Sequence, residues 1–128
     1  MPLMHVHLTE GKSASEKRRI CEAILAALVS AAKAPADSQF CWIHEHSREN
    51  LLVHPSFGGV ERSEDPLLIE ITLNQGRDAE TKARLYAAIA ANLERDCGVR
   101  PDDVIVSLRE VPKENWSFGG GRATYREG

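Results

Sequence analysis

The hydrophobic positions of this chain change period twice in the same way. From the N-terminus, Met4, Val6 and Leu8 alternate with His5 and His7, a period of two that predicts a strand with one buried face. Gly11 then predicts a turn. Ile20, Ile24, Leu25, Leu28 and Val29 recur at helical spacing behind Ser13 and Glu16, which stand three apart as in a capping box. Pro35 predicts the end of that helix, and the short run 40–43 reads as a further strand. The plan then starts again. Leu67, Ile69, Ile71 and Leu73 alternate, Asp78 is the expected N-cap of a helix striped by Leu85, Ile89 and Leu93, and Val104, Val106 and Leu108 alternate once more.

The recurrence is a sequence repeat. Leu8-Thr9-Glu10-Gly11-Lys12 returns as Leu73-Asn74-Gln75-Gly76-Arg77, and the same offset carries Lys17 to Lys82, Ile24 to Ile89 and Leu28 to Leu93 (73 − 8 and 93 − 28 both give 65). The expected fold class is therefore α/β (α+β), with two fused βαβ units, 2–46 and 67–111, giving a four-stranded core sheet with two helices on one face. The other face, where Leu68, Ile105 and Cys41 are expected, is too apolar to be wholly solvated, and this predicts cover by other subunits of a symmetric oligomer. Segment 47–66, with Pro55, Gly58 and Gly59, interrupts the repeat. A connection longer than ~15 residues reads either as a loop folded over a site or a neighbouring subunit, or as a surface insertion. Residues 112–128 form a C-terminal hairpin or tail.

The length of 128 residues fits one domain, 1–128, rather than two independent cores. A formal net charge of −3 leaves no basic surplus for nucleic acid. No apolar run reaches membrane-spanning length, and the N-terminus lacks the regions of a signal peptide, so the expectation is no membrane and a cytoplasmic location. Cys21, Cys41 and Cys97 are odd in number and contain no CxxC pair, which predicts reduced thiols. His5-x-His7 and His44-x-His46 each put two imidazoles on one side of an extended segment, but no third ligand of matching spacing is evident, so no metal is assigned. Gly119-Gly120-Gly121 is followed by no expected helix start and by no Gly-Lys-Ser/Thr pattern, and reads as a hairpin turn. No Gly-x-Ser-x-Gly elbow supports a triad hydrolase.

Pro2 carries the remaining chemistry. Removal of Met1 leaves a secondary amine at the start of the first strand; an α-amino group titrates near pH ~8, and burial or a nearby cation lowers that further. Such an amine serves as base or acid, or forms an iminium with a carbonyl.

Met1-Pro2, the Gly11 and Gly76 turns, the segment Arg95-Asp96-Cys97-Gly98-Val99-Arg100-Pro101-Asp102-Asp103-Val104 and above all Asn115-Trp116-Ser117-Phe118-Gly119-x-Gly121 together resemble the tautomerase superfamily. The likeness runs over nearly the whole chain and points to the malonate semialdehyde decarboxylase-like branch. It implies a homotrimer with a pocket near each mature N-terminus, a small carboxylate substrate and no metal or organic cofactor. It makes Pro2 the catalytic amine, a base that shuttles a proton between the carbons of an enol or α-keto acid, or a cationic acid in decarboxylating and hydrating relatives. Arg77 falls on an arginine that grips the substrate carboxylate, a task suited to its bidentate fork; otherwise it is a solvated charge beside a helix start.

The chain departs from that branch at two positions. Gln75 stands where the decarboxylase has a second arginine, and Ser38 where it has an aspartate; both are expected at the substrate, and the adjacent Asp37 is the expected assisting catalytic group if the loop shifts by one residue. Trp116, Phe118 and Tyr125 fall on or near the wall around the reacting carbons, or else serve simple packing. The implied activity is keto-enol tautomerisation. The alternatives are decarboxylation or hydration of a three-carbon acid, or a trimeric binding protein that has lost useful chemistry.

Overall fold

A computed structural model of the protein describes residues 2–127, so Met1, whose removal the amine chemistry requires, lies outside the described residues. The elements run β1 (Leu3–Thr9), α1 (Ala14–Ala32), β2 (Cys41–His46), β3 (Leu67–Asn74), α2 (Ala79–Cys97), β4 (Val104–Val111) and a one-turn α3 (Thr124–Glu127). The strands order as β2-β1-β3-β4, with β1 parallel to β2, β3 parallel to β4, and β1 antiparallel to β3. Each repeat half is thus one parallel βαβ unit, and the two halves join back to back through their first strands. Both helices lie on one face, where Met4, Val6 and Leu8 of β1 and Leu67, Ile69, Ile71 and Leu73 of β3 are sealed beneath Ile20, Ile24 and Leu28 of α1 and Leu85, Ile89 and Leu93 of α2.

Local chemistry repeats with the sequence. The turn after β1 places Gly11 at φ 121°, and the turn after β3 places Gly76 at φ 124°, values that only glycine adopts at little cost. Ser13 and Glu16 close the expected capping box on α1, and the Asp78 side chain accepts from the Thr81 amide on α2. Both helices end in a left-handed residue, Lys33 and Gly98, with the amide of the following residue bonded back to Leu28 and Leu93 respectively. The first half therefore holds a lysine at φ 59° where the second has glycine. Lys33→Gly should raise stability by about 1 kcal/mol, or roughly 3–5 °C in melting temperature by calorimetry, because the relieved left-handed strain exceeds the added chain entropy. A lower melting temperature would show that the lysine is not strained.

Two expectations are corrected. Cys41 pairs in register with Met4 and so faces the helices, not the open face; the strand begins one residue later than the run 40–43 suggests and extends to His46. There Cys41 reaches Cys21 of α1, and the two form a disulfide with a Cα–Cα distance of 6.3 Å, while Cys97 remains a free thiol. The expectation of reduced thiols fails because helix packing over the edge strand, invisible in cysteine spacing, brings the two together. Leu68 and Ile105 do lie in register on the open face.

Segment 47–66 connects the end of β2 to the start of β3, which places it at the end of the sheet remote from Pro2. It is pinned by Asp103, whose carboxylate accepts from the Ser63 amide at 2.7 Å and hydroxyl at 2.6 Å, and by Asp102, which accepts from the Glu61 amide. Leu52 and Phe57 project from it, 87% and 78% exposed. The segment does not cover the Pro2 end of its own chain. After β4 the tail forms a 3-10 turn (Lys113–Asn115), the glycine run and α3, so the expected hairpin turn is corrected: the glycines lead into a one-turn helix, and no further strand follows among the described residues. No helix among the described residues is long and apolar enough to cross a membrane.

Candidate active site

The antiparallel pairing of β1 with β3 decides what surrounds Pro2. Leu3 lies opposite Thr72, so the chain start runs toward the end of β3. On its other side the Met4 amide donates to the Phe40 carbonyl at 2.8 Å, which brings the 37–40 segment alongside. Pro2 itself is buried. This end of the sheet also collects the turn 75–78 and the C-terminal tail.

Asn74, the last residue of β3, ties these parts together. Its side-chain carbonyl accepts from Trp116 Nε1 at 2.7 Å, its amide donates to the Tyr125 hydroxyl at 3.0 Å, and its main-chain carbonyl accepts from Arg77 Nη1 at 3.0 Å. Trp116, Phe118 and Phe40 stack in a row with centroids 5.2 and 5.7 Å apart, and Tyr125 meets Phe118 edge-on at 6.0 Å. Lys113 stands over the Tyr125 ring at 5.7 Å. The three aromatic residues expected from the sequence therefore form one wall, fixed by an asparagine. A cavity of about 480 Å³, lined by Pro112, Lys113, Glu114 and Tyr125, opens on the tail side of the wall; neither Pro2 nor Arg77 lines it.

Arg77 is half-buried and has no carboxylate partner among the described residues. Its Nε donates to the Ala32 carbonyl at the end of α1 at 3.0 Å and its Nη1 to Asn74, so two backbone oxygens orient the guanidinium and leave its charge unanswered. Gln75 is exposed; its amide donates to the Val111 carbonyl. Ser38 is fully buried, and its hydroxyl is donated to the Pro35 carbonyl, an assignment that holds the loop after α1. Asp37 stands exposed in the adjoining turn.

Asn74 and Phe40 were not singled out from the sequence. Their partners lie 42, 51 and 78 residues away along the chain (116 − 74, 125 − 74 and 118 − 40). The one available signal was that Asn74 stands second in the repeated segment, where the first half has Thr9. Among the described residues no group of three or more histidine, cysteine or acidic side chains is placed to hold a metal ion.

Comparison with known proteins bears on the family and the fold. A family model described as tautomerase enzyme matches residues 38–119, and a second with the same description matches 2–58. The chain is 32% identical over 123 residues to the probable tautomerase YusQ of Bacillus subtilis, covering 96% of this chain and 97% of that protein. Its fold superposes with a TM-score of 0.91 on malonate semialdehyde decarboxylase, at 31% identity over 98% of this chain and 96% of that one; that structure is described as a basis for decarboxylase and hydratase activities. A fused 4-OT symmetric trimer matches with a TM-score of 0.78 at 26% identity, over 98% of both chains.

Proposed function

Since the chain belongs to the tautomerase superfamily, we propose that it is a cofactor-independent enzyme that moves a proton on a small α-keto or enol carboxylate, with the Pro2 amine as the acid-base group and Arg77 as the carboxylate anchor. The observation that carries this reading is the oriented, unanswered charge of Arg77 beside Asn74, at the sheet end that holds Pro2 and the aromatic wall. A guanidinium held by two carbonyls keeps further donors for an incoming carboxylate, which binds in two parallel bonds. The reacting carbons then lie against Trp116, Phe118 and Tyr125, a half-buried aromatic wall.

In this mechanism the amine takes the enol hydroxyl proton as the C–O bond becomes C=O, and the ammonium so formed returns that proton to carbon. Burial of Pro2, with the Arg77 guanidinium at the same end of the sheet, disfavours the ammonium and so favours the base form. Asp37, in the turn beside the buried Ser38, is the nearest sequence match to the branch's aspartate and assists if the loop shifts by one residue. The working unit in this reading is a homotrimer in which neighbouring copies cover the open sheet face bearing Leu68 and Ile105.

The second reading, decarboxylation or hydration of a three-carbon acid, draws on the similarity to malonate semialdehyde decarboxylase. Gln75 in place of an arginine and the Ser38 hydroxyl committed to Pro35 both weigh against it. Side-by-side kinetics on an enol pyruvate-type acid and on malonate semialdehyde separate the readings. We expect kcat/KM for ketonisation to exceed that for carbon dioxide release by about 100-fold, the scale of one missing charged contact. The reverse order would make the protein a lyase, and no turnover of either compound would leave a binding protein.

A further inference from the structure

The two His-x-His pairs, 39 residues apart, meet on the open sheet face. Register places His7 beside His44 and His5 beside Trp42, and five rings stack in the order Trp42, His5, His44, His7, His46, with centroids 5.7, 5.0, 4.5 and 5.2 Å apart. Two cross-strand hydrogen bonds link them: His5 Nδ1 with His44 Nε2 at 2.8 Å, and His7 Nδ1 with His46 Nε2 at 2.9 Å. The row continues across the sheet, since His7 Nε2 meets Glu70 Oε1 at 3.0 Å and Arg109 donates to Glu70 Oε2 at 3.0 Å.

This geometry handles protons rather than metal ions. The interplanar angles of 13–22° keep the nitrogen lone pairs in nearly parallel planes, where they do not converge on one point. A carboxylate only accepts, so His7 Nε2 carries a proton toward Glu70, its Nδ1 accepts, and His46 Nε2 donates to it. Each facing pair of nitrogens thus holds one proton, and a second would leave two N–H groups pointing at each other.

The charged and titratable groups on this face are His5 and His7 from β1, His44 and His46 from β2, Glu70 from β3 and Arg109 from β4. Glu70 pairs with both His7 and Arg109, so one carboxylate faces four imidazoles and a guanidinium and cannot balance a fully protonated ladder. Burial, followed by the charges of His7, His5 and His46, holds the His44 imidazole below its usual value. Leu68 and Ile105 lie on the same face, and Trp42 at the end of the stack is 49% exposed, a combination of aromatic and apolar surface that suits contact with protein.

We propose that this face packs against further copies of the chain through the histidine ladder, and that the contact holds only while the imidazoles are neutral. The proposal rests on the homotrimer reading above and adds its control by acid. Closing the contact strips water from the rings, so the assembled state disfavours their protonation and separated chains bind more protons. Assembly is therefore complete above the ordinary imidazole range and is lost as the pH falls through it, from about 7 to about 5. With one proton taken up per chain, the trimer association constant falls about a thousandfold per pH unit.

Sedimentation velocity on the intact protein at about pH 8 and about pH 5, with circular dichroism confirming the fold at both, tests this. The wild type should sediment as a trimer at the higher pH and as smaller species at the lower. The double variant His5→Gln, His44→Gln keeps neutral hydrogen-bonding groups in the stack and should lower the dissociation midpoint by about one unit. His46→Gln should lower it by less, and serves if the double variant does not fold. A wild-type monomer at the higher pH would overturn both the trimer and its switch. A trimer at both pH values would overturn the switch alone, as would dissociation or unfolding at an unchanged midpoint in the variants.

Discussion

A preparation that retains Met1 is expected to ketonise an enol acid about a thousandfold more slowly than one that begins at Pro2. Acylation by Met1 turns the proline nitrogen into an amide with no basic lone pair, and among Pro2, Arg77, Ser38 and Tyr125 no other group is free to take over as base. Arg77 offers only N–H donors and accepts no proton. Ser38 is committed to the Pro35 carbonyl, and the Tyr125 hydroxyl accepts from Asn74. The repeat gives an internal comparison, because the position one offset on, Leu67, is peptide-bonded on both sides and offers no amine. Intact mass defines each preparation, and steady-state kinetics reads the difference. Pro2→Ala, processed to a primary amine, should fall between the two; if it matched the wild type, the ring would be irrelevant though the amine would not.

Arg77→Ala should lower kcat/KM by roughly 30-fold to 1000-fold, corresponding to about 2 to 4 kcal/mol for a charged contact in a partly desolvated pocket. Lys12→Ala, at the position equivalent by the repeat, should change it little. The two side chains follow the same glycine turn, but Lys12 sits at the opposite end of the sheet from Pro2 because β1 and β3 run antiparallel. Arg77→Lys separates charge from shape: it restores the cation but not the planar fork, so recovery should be partial. Arg77 also bonds Ala32 and Asn74, so a melting curve of each variant is needed to show that lost turnover is not lost folding. Equal losses at positions 12 and 77 would place the pocket at the wrong end of the molecule.

What the sequence made legible were features written in local spacing. Alternation at 4, 6 and 8 and again at 67, 69, 71 and 73, the capping pair Ser13 and Glu16, and the glycines at 11 and 76 each report a backbone state within a few residues, and all hold in the structure. The wall of Trp116, Phe118 and Tyr125 came from the resemblance rather than from spacing. The features missed depend on pairings between distant segments. Cys41 was assigned to the wrong face because its register with β1, opposite Met4, decides the face, and a one-residue slip of register inverts every side chain. The Cys21–Cys41 bridge, the Asn74 hub and the histidine stack all require knowing that β2 lies beside β1, or that the tail returns to β3, and no short-range pattern encodes either.

The most direct test compares the titration of the Pro2 nitrogen, followed by NMR in protein labelled with ¹⁵N-proline, with the pH dependence of kcat/KM on the enol acid. The account predicts that one limb of the rate profile follows the same pKa as the nitrogen, at or below the ordinary α-amino value of about 8. Activity rising with deprotonation assigns the base, and activity falling with it assigns the acid. A rate that stays constant while the Pro2 nitrogen titrates would contradict its role in proton transfer.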